Sequence, residues 1–318
     1  MQTYESVLSV VACVIALGLI SLFIPPLFIA NKVYKDILVR TSKDKWGHEG
    51  SAVDDAEQME MYAKGEEWGA AHEKAKEIVW IVSDGFNLYG EYFDFGHKKA
   101  VIIIPGRTEA CDYSYYFAKP YAEAGYNVLV IDNRCHGYSD GTHPALGLKE
   151  YRDILAWGKL LNEKYGNRTI LCHGICIGSA TALYALVSED CPDYMAGMVC
   201  EGMYTTFKEL FKNHLIVDKR PVFPFLGYIM AFLKTKSGAN PTTDGPVYRI
   251  KKLNKPILFL YGKLDVFARP DKSEELYNAC AAPKQIAWFD KGGHSHLRIN
   301  NEEEYDGAIR KFCETYFD

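Results

Sequence analysis

Three side chains of this 318-residue chain have the types and the order of a nucleophile, an acid and a base. Cys176 lies in Gly174-Ile-Cys-Ile-Gly178, Asp265 follows a second apolar run, and His294 follows a third. A thiol nucleophile needs a base to take its proton, and the base needs a carboxylate to orient it. The pattern predicts acyl chemistry with Cys176 as nucleophile, His294 as base and Asp265 as orienting acid.

The residues around Cys176 predict a sharp turn from a strand into a helix. Residues 169–175 are a short apolar run, and the glycines two positions either side of Cys176 allow strand and helix to approach closely. The sulfur would lie at a helix N-terminus, where unpaired N–H groups favour a thiolate. The alternative is that Cys176 is a small buried core residue.

Two of these assignments have competitors. His296 is the second histidine of the same loop, and we favour His294 because Gly292 and Gly293 before it suit a loop that presents a ring. Either histidine can also be an ordinary surface residue. Asp265 can instead cap the helix that begins near Asp271.

Backbone N–H groups near the nucleophile are the candidates for stabilising an oxyanion. One belongs to Ile177, directly after Cys176. The other is predicted in the loop after the apolar run 100–104, where Arg107 is the candidate. The Arg107 side chain is not needed for that role and can equally be a surface charge.

Composition argues against several other functions. The net charge of −5 gives no basic field for nucleic acid. The nine cysteines are scattered, and Cys172 and Cys200 lie in apolar runs, which favours reduced thiols. The chain has no Cys-X-X-Cys pair and no Gly-X-Gly-X-X-Gly motif. We therefore expect no metal and no cofactor.

The first thirty residues predict a membrane anchor. Residues 6–31 carry no charge and are long enough to cross a bilayer as a helix. A cleaved signal peptide is the alternative, but no lysine or arginine precedes the apolar run. The cations that follow it are Lys32, Lys35, Arg40, Lys43 and Lys45. By the positive-inside rule, residues 1–30 form a single-pass anchor in the cell membrane with the domain in the cytoplasm.

The rest of the chain alternates strands with helices. Residues 31–76 are predicted as a linker and N-terminal embellishment, and residues 77–318 as one domain with a mostly parallel sheet and helices on both faces. One helix is expected over 113–124. The long insertion at about 204–254 predicts a helical lid, with an ordinary core helix or a membrane-dipping surface as alternatives.

The chain resembles the α/β-hydrolases of the serine-aminopeptidase-like group, which includes monoacylglycerol lipase relatives. Pro105-Gly-Arg-Thr-Glu109 resembles their oxyanion loop, and Asp132-Asn-Arg-Cys-His-Gly-Tyr-Ser139 resembles their Asp-X-Arg-Gly-X-Gly-X-Ser signature. Gly262–Asp265 and Gly293-His294 resemble their acid and histidine loops. The resemblance covers residues 77–316 and implies an α/β-hydrolase fold.

Two cysteines depart from that group. Cys176 replaces its serine, and Cys135 stands where the signature has glycine. A cysteine elbow resembles dienelactone hydrolases and polyhydroxyalkanoate synthases, whereas we expect Cys135 to be structural.

These observations predict an acyl hydrolase that acts on a carboxylic ester or thioester with an apolar part, through an S-acyl enzyme. An acyltransferase that uses the same thioester is one alternative. A hydrolase-fold binding protein without catalysis is the other.

Overall fold

Short apolar runs form the middle of one sheet in this protein. A computed structural model describes residues 2–48 and 55–318. Within those residues the strands are β1 (Lys76–Ser83), β2 (Phe86–Phe93), β3 (Lys99–Ile104), β4 (Tyr126–Ile131), β5 (Thr169–Ile175), β6 (Met195–Glu201), β7 (Ile257–Gly262) and β8 (Lys284–Phe289). Strands β4 and β7 are buried along their whole length, as continuous apolar runs in a parallel sheet predict.

The strand order is β1-β2-β4-β3-β5-β6-β7-β8. Strands β1 and β2 form an antiparallel hairpin, and β2 is also antiparallel to β4. All other neighbours are parallel, so the carboxyl ends of β3 to β8 lie along one edge. This edge is where an open α/β sheet presents its functional loops.

Helices cover both faces of the sheet. The described helices are α1 (Gln2–Leu38), α2 (Ala56–Ala71), α3 (Cys111–Ser114), α4 (Lys119–Glu123), α5 (Tyr151–Glu163), α6 (Ile177–Leu186), α7 (Phe207–Val217), α8 (Phe225–Ser237), α9 (Pro246–Arg249), α10 (Pro270–Ala279), α11 (Leu297–Asn300) and α12 (Glu302–Phe317). On β3, Val101 and Ile103 belong to one apolar cluster, and Ile102 and Ile104 to the other. This alternation gives the sheet a core on each side.

The region predicted as one helix over residues 113–124 is divided. It forms α3, a 3₁₀ turn at Tyr115–Phe117 and α4. Pro120 stands in the first turn of α4, where its missing N–H removes no intrahelical hydrogen bond. The proline therefore starts a new helix.

The insertion between β6 and β7 is helical. It contains α7, α8 and α9, and α8 packs against α1. The Tyr34 ring of α1 lies 5.7 Å from the Phe232 ring of α8. The insertion therefore contacts the N-terminal helix as well as the sheet domain.

Helix α1 runs past the predicted boundary at residue 30. Its N-terminal part is exposed and apolar, and its window of highest hydropathy averages 2.9 with no buried residue. In its last turns Ala30, Tyr34 and Leu38 share one face and are buried in the core. The predicted linker begins inside this helix, and its residues 49–54 lie outside the described residues.

Candidate active site

The backbone turns sharply between β5 and α6. Cys176 stands at the turn with φ 53° and ψ −108°, and its N–H donates to the Glu201 carbonyl at 2.8 Å. A Cβ at Gly174 would lie 2.3 Å from the Ser179 nitrogen, and one at Gly178 would lie 2.1 Å from the Ile104 oxygen. Both positions therefore require glycine because strand, helix and the end of β3 meet there.

Cys176 is recessed in the site. The residue is 8% exposed and lies among the apolar side chains under the insertion, with Ile177 beside it. The sulfur therefore faces a site from which bulk water is largely excluded. Such a site strengthens electrostatic interactions with a reacting carbonyl.

His294 and Asp265 meet at the carboxyl ends of β8 and β7. The Nδ1 atom of His294 lies 2.7 Å from Oδ2 of Asp265. The other carboxylate oxygen, Oδ1, accepts the N–H groups of Phe267 and Ala268 at 2.8 Å each. Asp265 is thus fixed by its own loop and directs one oxygen at the imidazole. These hydrogen bonds lie within residues 265–268, and α10 begins only at Pro270, so Asp265 does not cap that helix.

The charges around His294 favour its protonated form. Burial opposes a charge on the ring, but Asp265 and the Cys176 sulfur raise the pKa of His294 well above its ordinary value. Burial likewise opposes the charge on Asp265, but His294 and the two backbone donors lower the pKa of that carboxyl. Among the described residues, the buried Nε2 atom of His294 has no hydrogen-bond partner.

The competing histidine points elsewhere. His296 Nδ1 hydrogen-bonds the carbonyl of His294 at 2.7 Å. Its Nε2 atom lies 3.1 Å from Oδ2 of Asp55, the residue that caps α2. His294 interacts with both Asp265 and Cys176, so the structure brings these three side chains together and leaves His296 outside the group.

The two candidate oxyanion donors line the same cavity. Ile177 is the first residue of α6, and the N–H of a first helical residue has no intrahelical acceptor. Arg107 lies in the loop after β3, and its backbone N–H donates to none of the described residues. Asn133 donates its side-chain N–H to the Pro105 carbonyl at 2.9 Å and so holds that loop.

Comparisons with known proteins agree with this architecture. A family model described as the alpha/beta hydrolase fold matches residues 99–241. Esterase Pf2001 of Pyrococcus furiosus superposes with a TM-score of 0.64 and 21% identity, over 79% of this chain and 96% of that one. The alpha/beta hydrolase GrgF from Penicillium sp. sh18 superposes with a TM-score of 0.61 and 16% identity, over 76% and 98%. The chain has the α/β-hydrolase fold.

The similarity to one bacterial protein extends along nearly the whole chain. YqkD of Bacillus subtilis (strain 168) is 28% identical over 315 residues, which are 98% of this chain and 96% of that protein. The alignment therefore includes the N-terminal helix as well as the hydrolase fold. The fold prediction is confirmed by the family model and the solved structures together.

The Asp132–Ser139 loop supports the hydrolase fold below the site. Asp132 accepts the N–H groups of Cys111 at 2.7 Å and Tyr138 at 2.8 Å. Ser139 returns a hydroxyl hydrogen bond to the Asp132 carbonyl at 2.8 Å. Arg134 pairs with Asp153 through two nitrogens at 2.6 Å each. These hydrogen bonds and the ion pair hold the loop of the signature in one conformation.

Cys135 has a backbone conformation that favours glycine. Its φ is 70°, and it is buried with its sulfur facing Gly141. Burial raises the pKa of its thiol. This environment agrees with a structural role, since a buried protonated thiol is a poor nucleophile.

A second group of donor atoms lies outside the triad. One ligand atom each from His48, Cys111 and Asp132 lie within 4.8 Å of one another. His48 Nε2 is 3.0 Å from Oδ2 of Asp132, and burial raises the pKa of the Cys111 thiol well above its ordinary value. The Asp132 carboxylate already contacts His48 and accepts two backbone N–H groups, so these three residues belong to the hydrogen-bond network of this loop.

Two functional features were not predicted from the sequence. The Arg107 side chain donates through Nη1 to the Ile37 carbonyl at 2.9 Å and so joins the oxyanion loop to the end of α1. Glu109 has a buried oxygen, Oε2, without a partner among the described residues, and burial raises its pKa. The Arg-Thr-Glu string was the available signal, but it gives no direction for either side chain.

Proposed function

We propose that this protein is an acyl hydrolase that cleaves a carboxylic ester or thioester through Cys176, His294 and Asp265. The observation that carries the proposal is the His294–Asp265 contact of 2.7 Å at the same sheet edge as the cysteine turn. The esterase named above shares the fold, which supports an ester as substrate.

Before acylation the thiol proton of Cys176 passes to Nε2 of His294, a transfer that the raised pKa of His294 favours. The sulfur attacks the substrate carbonyl, and the backbone N–H groups of Ile177 and Arg107 stabilise the oxyanion. Each such donor typically lowers the barrier by about 3–4 kcal/mol. The tetrahedral intermediate then collapses as His294 protonates the leaving group, which leaves an acyl group on sulfur.

Deacylation returns the enzyme to its starting state. His294 takes a proton from water, and the hydroxide attacks the thioester carbonyl. The carbon–sulfur bond breaks, and the proton returns to the sulfur as the acid leaves. Asp265 stabilises the imidazolium in both half-reactions and keeps Nδ1 protonated.

The strained turn supports catalysis over a binding protein without activity. A non-glycine residue at φ 53° costs about 1–3 kcal/mol, and such strain is concentrated at functional sites. A thioester can also react with amines and thiols, so acyl transfer through the same intermediate is the alternative reaction.

Initial rates with a series of nitrophenyl esters test the proposal. We expect saturable hydrolysis that is lost in Cys176→Ala and retained in Cys135→Ala. An activity unchanged by Cys176→Ala would contradict it. Product analysis with added amine and thiol acceptors separates hydrolysis from acyl transfer, since only transfer gives acceptor-dependent acyl products.

We further propose that α1 is a retained membrane anchor with the domain in the cytoplasm. The apolar window supports a span, and the cations after residue 31 support the orientation. The buried Tyr34 and Leu38 at the end of the same helix support retention, because cleavage of a signal peptide would separate this packed end from its apolar start.

Protease treatment of intact cells tests the orientation. We expect the domain to be resistant until the membrane is permeabilised. Digestion from outside intact cells would contradict a cytoplasmic domain.

A further inference from the structure

The lid contacts α1 inside its apolar part. The Tyr228 hydroxyl of α8 donates to the Phe23 carbonyl at 3.0 Å. The Phe223 ring, just before α8, packs edge-on against the Phe23 ring with centroids 6.2 Å apart. Nearer the C-terminus of both helices, Tyr34 of α1 contacts Phe232 of α8. The two helices therefore run in the same direction from Phe23 onward.

Helix length fixes the level of this contact relative to a bilayer. A span needs about 20 residues at about 1.5 Å each, so a span that starts after Glu5 ends near Pro25. Phe23 thus lies at the boundary of the hydrocarbon layer. The next cations on α1 are Lys32 and Lys35, and the matching cations on α8 are Lys234 and Lys236. Both helices change from apolar to cationic on the same side of Phe23.

The edge of the lid at this level is apolar and largely exposed, although the Phe223 ring contacts Phe23 on one side. We call it the lid rim and define it as Ile216, Val217 and Phe223, which are 53%, 46% and 71% exposed. Lys219 and Arg220 are exposed between them, and Asp218 pairs with Arg220 at 3.7 Å. An apolar edge with flanking cations fits an anionic bilayer surface.

The lid rim is also joined to the candidate active site. The Phe267 ring lies 5.5 Å from the His294 ring and stacks on His214 at 4.0 Å. His214 is in the last turns of α7, two residues before Ile216. Asn213 donates to the Phe267 carbonyl at 3.0 Å. The rings of Phe267 and His214 therefore connect His294 to the lid rim.

We propose that the lid rim lies in the surface of the bilayer and that the site takes its acyl substrate from that surface. This rests on the proposed function for the substrate, while the contact with lipid stands independently of it. The substrate class is then an amphipathic acyl ester or thioester held in the membrane. A freely diffusing short ester would react without help from the lid rim.

Photo-crosslinking in vesicles tests the surface directly. Full-length protein carrying Phe223→p-benzoylphenylalanine is placed in phosphatidylcholine–phosphatidylglycerol vesicles with a radiolabelled phospholipid and irradiated. We expect lipid attachment at position 223 comparable with that at position 14 in the span. The control is the same replacement at Tyr316, at the opposite end of the sheet. Attachment at 223 no greater than at 316, with position 14 labelled, would overturn the proposal.

A kinetic comparison tests the substrate source. In Phe223→Ser we expect hydrolysis of a long-chain ester in vesicles to fall about tenfold, because apolar contact with the interface is lost. Hydrolysis of nitrophenyl acetate should be unchanged. Tyr248→Ser removes a similarly exposed aromatic ring on α9 and should change neither rate. Equal losses on both substrates would contradict delivery from the membrane, whereas lipid attachment without any hydrolysis would support the surface and refute the hydrolase.

Discussion

At the scale of single residues, the turn at Cys176 combines strain with tight steric limits. Its φ of 53° is supported by the N–H bond to Glu201 and by glycines at 174 and 178. The sequence predicted this turn because the two glycines mark positions where a Cβ atom would clash with the neighbouring backbone. The loops that carry Asp265 and His294 follow β7 and β8, and the sequence indicated both strands as apolar runs.

Asp265→Asn tests the orienting carboxylate. We expect kcat to fall by a factor of about 10⁴, as it does when the carboxylate of a Ser-His-Asp triad is replaced by an amide. The pKa of His294 should also fall, because Asp265 is the strongest group that raises it. Titration of ¹⁵N-labelled histidines would measure the shift, and turnover at the wild-type rate would remove Asp265 from the mechanism.

The raised pKa of His294 also predicts how the free energy of unfolding changes with pH. A group whose pKa is raised by folding stabilises the folded state fully below its unfolded pKa, about 6.5. That contribution is lost as pH rises through the higher folded value. Above about pH 6.5, therefore, the difference in unfolding free energy between wild type and Asp265→Asn should shrink as pH rises.

Gly178→Ala tests the packing of the turn against β3. A Cβ there would lie 2.1 Å from the Ile104 oxygen, so the end of β3 must move. We expect a loss of about 1–3 kcal/mol in unfolding free energy and lower esterase activity. Gly307→Ala on α12 is the control, since its nearest atom is 4.0 Å away, and it should gain about 0.5–1 kcal/mol. Equal effects in urea unfolding would contradict this account.

At the scale of elements, the end of α1 is held by two cationic side chains. Lys45 donates to the carbonyls of Lys35, Asp36 and Val39 at 3.0, 2.7 and 2.6 Å. Arg107 donates to the Ile37 carbonyl. The carbonyls of a helix C-terminus need such partners and attract cations. The loop after β3 and the end of α1 are therefore joined through one arginine.

Lys45→Met should destabilise the junction of α1 with the domain. We expect a loss of about 1–2 kcal/mol, because three carbonyls lose a charged donor that is partly exposed. Lys43→Met removes an exposed charge two residues earlier and should change unfolding free energy by less than about 0.5 kcal/mol. Urea denaturation of both variants makes the comparison; an unchanged Lys45→Met protein would refute the cap.

Several features of the helices and loops could not be predicted from sequence patterns. Alternation and apolar runs predicted the sheet and the helical insertion. The division of residues 113–124 depends on Pro120, which allows a helix to begin but does not by itself require a break. The positive φ of Cys135 was indicated only by glycine in the resembling signature. The direction of Arg107 toward Ile37 depends on long-range packing, which no local pattern encodes.

At the scale of the whole molecule, α1 has two parts with different surroundings. Its start is exposed and apolar, whereas Ala30, Tyr34 and Leu38 belong to the core of the hydrolase fold. Hydropathy predicted the first part. It did not predict the second, because packing of the helix end on α8 is a property of the assembled domain.

Two truncations separate these parts. Removal of residues 1–22 should leave a folded domain that hydrolyses short esters. Removal of residues 1–39 should lower unfolding free energy by about 3–5 kcal/mol, because buried Tyr34 and Leu38 are lost. Circular dichroism during urea denaturation would measure both chains, and equal stability would contradict a structural role for the end of α1.

In the proposed mechanism the sulfur of Cys176 carries the acyl group during turnover. The most direct measurement is intact-protein and peptide mass spectrometry after rapid mixing with a nitrophenyl ester. We expect one acyl adduct on Cys176, which neutral hydroxylamine removes because it cleaves thioesters. We expect no adduct in Cys176→Ala or His294→Ala. An adduct on a hydroxyl oxygen, or hydrolysis without any adduct on Cys176, would contradict it.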